Sequence, residues 1–224
     1  MTVEQNHSFV ATNSSGEVSA IYVRPRNAKW LLVFAHGAGA GMKHKFMQTA
    51  SDKLAIHGIA TFRFNFPYME KGKRSPDPQP ILKKTIRSAI QTASHLVGDL
   101  PLIAGGKSLG ARMTSMAAAE NPLPNLKGLV FFGFPLHAPG KPSIERAEHL
   151  NAVKIPMLFL QGTRDNLANL ELIKPVCRKL GKRATLHIVE GGDHSFHLPK
   201  SAGRPDEDVI DELARVVSQW ATKL

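Results

Sequence analysis

The chain has 224 residues, 42% of them hydrophobic, and a formal net charge of +11. That length predicts one domain, residues 1–224, with a sizeable core, and no apolar run reaches the ~20 residues a membrane-spanning helix needs. The single cysteine, Cys177, has no intrachain disulfide partner, and the N-terminal "MTVEQNHSFVATNSSGE" lacks the basic-then-apolar order of a secretory signal, so a cytoplasmic location is expected.

In chain order, "VSAIYVR" alternates like a half-exposed strand, and "WLLVFAH" is a continuous apolar strand of the kind covered on both faces. "HKFMQTASDKLAIHG" sets Phe46, Met47, Ala50, Leu54 and Ala55 on one helical face and ends at Gly58. "IATFRF" is a strand, and the proline-rich "SPDPQP" precedes a helix from about Ile81 to Val97. Then come a strand at Leu102–Gly105, the helix "ARMTSMAAAEN", the strand "GLVFFG", a short helix near Ile144–Leu150 and the strand "MLFLQG". A helix near Leu167–Leu180, the strand "TLHIVE" and an amphipathic helix carrying Val209, Ile210, Leu213, Val216, Val217 and Trp220 complete the chain. Repeated strand-then-helix order predicts an α/β class with a mostly parallel sheet and helices on both faces. The segment after "GLVFFG" is too short for a large cap domain. Cys177, in "LELIKPVCRKL", reads as a buried small hydrophobe.

The basic groups "KGKR", "KK" and "RKLGKR" are scattered and not interleaved with aromatic residues. They read first as solvated surface charge, second as a preference for anionic substrates, and only last as a nucleic-acid surface.

The segment "LPLIAGGKSLGARM" admits two chemistries. Gly106-Lys107-Ser108 would end a phosphate-binding loop of the form G-x-x-x-x-G-K-[ST], but the leading glycine would then fall on Pro101, which has no N–H to donate. Gly106 to Gly110 is also a G-x-S-x-G nucleophile elbow, and here an apolar strand precedes it and a small-residue helix follows. Ser108 is therefore the candidate nucleophile. A serine needs a base, and the base an orienting acid, in the order Ser, Asp or Glu, His for this type of site. Asp165 follows the strand "MLFLQG" and His194 follows "TLHIVE", each just beyond a strand's carboxyl end. Asp165 also fits as a helix cap, while Asp193 and His197 are the weaker alternatives for acid and base.

The loop "FAHGAGAGM" is placed to supply oxyanion donors, assigned to the backbone N–H groups of Ala38 and Leu109, with Gly39 as the alternative to Ala38. His36 has no ligand-spaced neighbour and reads as a loop-stabilising hydrogen-bonder. Arg63, Phe66 and Tyr68, beyond another strand end, read equally as candidates for a substrate pocket and as a packed aromatic loop with a structural arginine. Neither a metal nor a cofactor fingerprint is present, so neither is expected. The sequence does not disclose an oligomeric state.

The motifs "AHGAGAGM", "RFNFPYM", "GGKSLGAR", "LQGTRD" and "GGDHSF" resemble the α/β-hydrolase superfamily over about Val18–Leu224. More closely they are similar to a small capless, dienelactone-hydrolase-like subfamily that includes a testis-expressed hydrolase-like protein and a regulatory subunit of the nuclear NSL complex. The resemblance implies an eight-stranded-type sheet and a Ser108–Asp165–His194 triad. Dienelactone hydrolases use a cysteine nucleophile where this chain has Ser108, so their substrate is not implied. The expectation is a serine hydrolase of a small acyl substrate, possibly anionic; a non-catalytic module that binds an acidic partner on the same scaffold is the alternative.

Overall fold

The computed structural model describes residues 2–224. Eight strands form one sheet in the order β1-β2-β4-β3-β5-β6-β7-β8. β1 (Thr2–Thr12), β2 (Gly16–Pro25) and β4 (Ile59–Phe64) are joined by antiparallel pairings. β3 (Trp30–Ala35), β5 (Leu102–Lys107), β6 (Leu126–Phe132), β7 (Met157–Gly162) and β8 (Ala184–Val189) continue from β4 in parallel.

Successive side chains of the central strands feed opposite layers, as the pleat requires. Leu32, Phe34, Ile103, Val130 and Phe132 pack under α1 (Lys45–Ile56) and α6 (Asp206–Ala221). Leu31, Val33, Ala104, Leu129, Phe131 and Phe159 pack on the other face. There they meet α3 (Gln79–Val97), α4 (Leu109–Glu120) and α5 (Leu170–Leu180), numbered after the one-turn α2 (Pro67–Glu70). The fully apolar reading of β3 follows from this double cover. Cys177 is buried as expected, its thiol pushed up to about 12 by burial.

Beyond the one-turn α2 and the later start of α5 at Leu170, two elements differ from the sequence expectation. The whole of β1 was not foreseen. Its first half is polar and exposed, and only Phe9 and Ala11 reach the core. An edge strand of this kind has no apolar alternation to betray it. The short helix expected near Ile144 is a 3₁₀ segment, Glu145–Ala152, lying against α4. Among the described residues no cap covers the carboxyl ends of the parallel strands. Among the described residues no helix is long and apolar enough to cross a membrane.

Candidate active site

Ser108 lies between β5 and α4 with φ 51° and ψ −111°, a backbone region that favours glycine. Its own N–H donates to the Phe132 carbonyl at 3.2 Å. Both glycines of the elbow answer a packing demand. A Cβ on Gly106 or Gly110 would run into the Ala35 carbonyl at the end of β3. The sharp turn leaves the Ser108 side chain at the carboxyl edge of the sheet.

Three side chains from distant segments meet there. Ser108 Oγ is 2.8 Å from His194 Nε2, and His194 Nδ1 is 2.8 Å from Asp165 Oδ2. The Asp165 side chain is fully buried and that of His194 is 20% exposed, so the carboxylate is dry while the imidazole faces the opening. With Nδ1–H donating to the carboxylate, Nε2 is left as acceptor for the serine hydroxyl.

Asp165 orients the base and braces its own turn but caps no helix, because α5 begins at Leu170 with Asn169 as its N-cap. Oδ1 accepts the Leu167 N–H at 2.8 Å, and Oδ2 accepts from His194 and from Gln161 Nε2. The alternatives are otherwise employed. Asp193 Oδ1 accepts the Ser195 and His197 N–H groups at 2.7 and 2.9 Å, knotting the His194 loop. His197 pairs with Asp206 at 2.5 Å on the surface.

The oxyanion loop is braced from behind. His36 Nδ1 donates to the Gly37 carbonyl at 2.7 Å, while its Nε2 accepts the Phe66 N–H at 3.1 Å. Burial lowers the His36 pKa to about 4, which keeps it neutral for both bonds. The Gly39 N–H donates to Tyr68 Oη at 3.1 Å and is therefore occupied. The Ala38 and Leu109 N–H groups have no such partner among the described loop contacts. This favours Ala38 over Gly39.

The three residues expected to line a substrate pocket do not do so. Arg63, Phe66 and Tyr68 are each no more than 2% exposed. Arg63 donates to the Met42 carbonyl at 3.2 Å, and Phe66 and Tyr68 stack beneath the His36 loop. The cavity beside Ser108 lies elsewhere, between α1 and α6. It measures about 480 Å³ and is lined in part by Ala38, Phe46, Met47, Leu167 and Ile210. Those α1 and α6 positions read in sequence as core-facing residues, and nothing there marked them as pocket walls.

Sequence reasoning also passed over Lys107, which mattered there only to the rejected phosphate loop. It is 9% exposed and donates to the His194 carbonyl at 2.6 Å. Its ammonium lies 5.9 Å from the Phe46 ring centre and 5.7 Å from that of Phe196. Burial lowers its pKa to about 8, against the pull of Asp165 and Asp193. A buried ammonium with one hydrogen bond ties the loop that carries His194 to the strand that carries Ser108. Among the described residues no group of three or more His, Cys, Asp or Glu side chains is placed to hold a metal ion.

A sequence profile described as an alpha/beta hydrolase domain matches residues 28–222. The fold is similar to that of a dienelactone hydrolase from Anabaena variabilis, with TM-score 0.75 and 20% identity over 98% of each chain. It is also similar to an α/β serine hydrolase without lid from Xanthomonas campestris, with TM-score 0.74 and 18% identity over 97% of this chain and 94% of that one. A putative phosphoribosyl transferase of Mycobacterium tuberculosis strain H37Rv is 25% identical over 88% of this chain. The chain spans about two fifths (41%) of the length of that relative.

Proposed function

The chain belongs to the alpha/beta hydrolase domain family, and from that premise we propose that it is a serine hydrolase that cleaves a small ester, thioester or related acyl bond. The observation that carries this reading is the hydrogen-bonded series Ser108–His194–Asp165 set on a strained elbow. A binding module has no physical need of that arrangement, which supports the enzyme over the interaction scaffold.

The steps follow from the atoms present. His194 Nε2 takes the Ser108 proton as Oγ attacks the acyl carbon, and Asp165 stabilises the imidazolium that forms. The Ala38 and Leu109 N–H groups hold the tetrahedral oxyanion, the Leu109 donor aided by its place at the first residue of α4. Collapse of the intermediate expels the leaving group, which takes the proton from His194, and leaves Ser108 acylated. Water then attacks the acyl-enzyme with His194 again as base, which releases the acid and restores the serine.

A fluorophosphonate reagent tests this directly. Labelling maps to Ser108 by mass spectrometry, disappears in Ser108→Ala, and is lost in His194→Ala. In Asp165→Asn the hydrolysis rate falls by roughly 10³–10⁴, because the imidazole no longer holds the reactive tautomer. Labelling that persists in Ser108→Ala refutes the assignment.

A further inference from the structure

Arg112 lies four residues after Ser108, and its N–H donates to the Ser108 carbonyl at 3.1 Å. Residues four apart share a helix face, and helical side chains tilt toward the N-terminus. Arg112 thus occupies the Ser108 side of α4 and leans toward the end where the nucleophile stands. The 3₁₀ segment Glu145–Ala152 packs against this part of α4. His149 Nε2 meets Ser115 Oγ at 2.8 Å, and the His149 ring is 6.4 Å from that of Phe134, just beyond β6. This cluster therefore borders the same carboxyl edge of the sheet as Ser108.

Arg112 and Arg146 are both half-buried there. The Arg112 Nε is fully buried and has no hydrogen-bond partner. Among the described residues neither guanidinium forms an ion pair or a side-chain hydrogen bond. Glu145 and Glu148 stand beside Arg146 in the chain, but both are exposed and neither pairs with it. Other arginines with buried stems each have at least one protein acceptor: Arg63 the Met42 carbonyl (its Nε, like that of Arg112, has none), Arg87 the carbonyls of Ala117 and Asn121, Arg183 that of Val153. Burial and then the charge of Arg146 hold the Arg112 pKa below its ordinary value. Burial and then Arg112 lower His149 to about 4, so the histidine adds no charge near neutral pH.

Two like charges that share a half-buried site, with open donors and no counter-charge among the described residues, repel each other, and a bound oxyanion relieves that repulsion while filling the open donors. We infer that Arg112 and Arg146 form an oxyanion-binding subsite beside Ser108 that selects acyl substrates bearing a carboxylate or phosphate group. The inference rests on the serine hydrolase reading for its catalytic meaning. The apolar cavity opens on the α1/α6 face of the sheet, whereas the arginine pair lies on the α4 face. The anionic and apolar portions of the substrate accordingly fall on opposite sides of the scissile bond.

The test compares 4-nitrophenyl hemisuccinate with the neutral 4-nitrophenyl acetate at fixed, near-physiological salt, in the wild type, Arg112→Gln and Arg146→Gln. The wild type prefers the hemisuccinate, and each variant lowers the ratio of the two kcat/KM values by about tenfold or more, mainly through KM. A ratio that is the same in all three proteins overturns the subsite. Calorimetric titration with succinate and with inorganic phosphate gives a readout independent of turnover. Binding that is weakened in Arg146→Gln supports the subsite, and the tighter of the two anions identifies the preferred group. Absence of binding for both anions overturns it. Failure of both esters together with failure of fluorophosphonate labelling refutes the hydrolase reading, while the titrations still decide the subsite.

Discussion

Replacing Ser108 by glycine and, separately, by alanine measures the strain at the elbow. Both variants lack the hydroxyl and its bond to His194, so their difference isolates the backbone. At φ 51° and ψ −111° a residue with a Cβ is held in a sparsely populated region at a cost of about 1–3 kcal/mol, which glycine does not bear. Glycine gives back roughly 0.5–1 kcal/mol through the greater freedom of the unfolded chain. The net expectation is that Ser108→Gly is more stable than Ser108→Ala by about 0–2.5 kcal/mol, or up to roughly 10 °C in Tm for a chain of this size. Urea denaturation followed by circular dichroism reads the difference, with equal m-values required for the comparison. A glycine variant less stable than the alanine variant would refute the argument that the fold stores strain at this residue.

Lys107→Met keeps the stem and removes the ammonium. It lowers kcat by about tenfold with little change in KM in steady-state ester hydrolysis, because it frees the His194 carbonyl and leaves the cavity wall in place. Gly110→Ala places a Cβ 2.7 Å from the Ala35 carbonyl carbon and 2.8 Å from the His36 carbonyl oxygen. It costs about 3 kcal/mol in a chemical-denaturation experiment, since all the atoms it meets are backbone. His36 is held well below its ordinary pKa, so the unfolded chain takes up its proton first as pH falls. Its stabilising effect is complete above the unfolded value near 6.5 and is lost progressively toward about 4, which urea midpoints measured across that range will show. A His36→Asn variant has a shallower dependence over the same interval.

The sequence by itself determined what depends on short-range pattern and chain order. The run of apolar strands and amphipathic helices specifies a parallel sheet with two covered faces, because period 2 and period 3.6 are local properties. The elbow around Ser108 is legible because strand, tight turn and helix are contiguous. Asp165 and His194 could be picked out because each lies just past a strand end in the required order. The tertiary structure decided the rest. The direction of Arg63, Phe66 and Tyr68 depends on which face of the sheet turns inward behind the His36 loop, and no local pattern encodes that. The preference for Ala38 over Gly39 came from Tyr68 occupying one N–H across the loop. Lys107 gained its role from a carbonyl on a distant segment, and Arg112 became half of a candidate subsite only because the 3₁₀ segment brought Arg146 to α4. Such roles arise from contacts between residues far apart in the chain, and these exist only once the sheet has brought its carboxyl ends together.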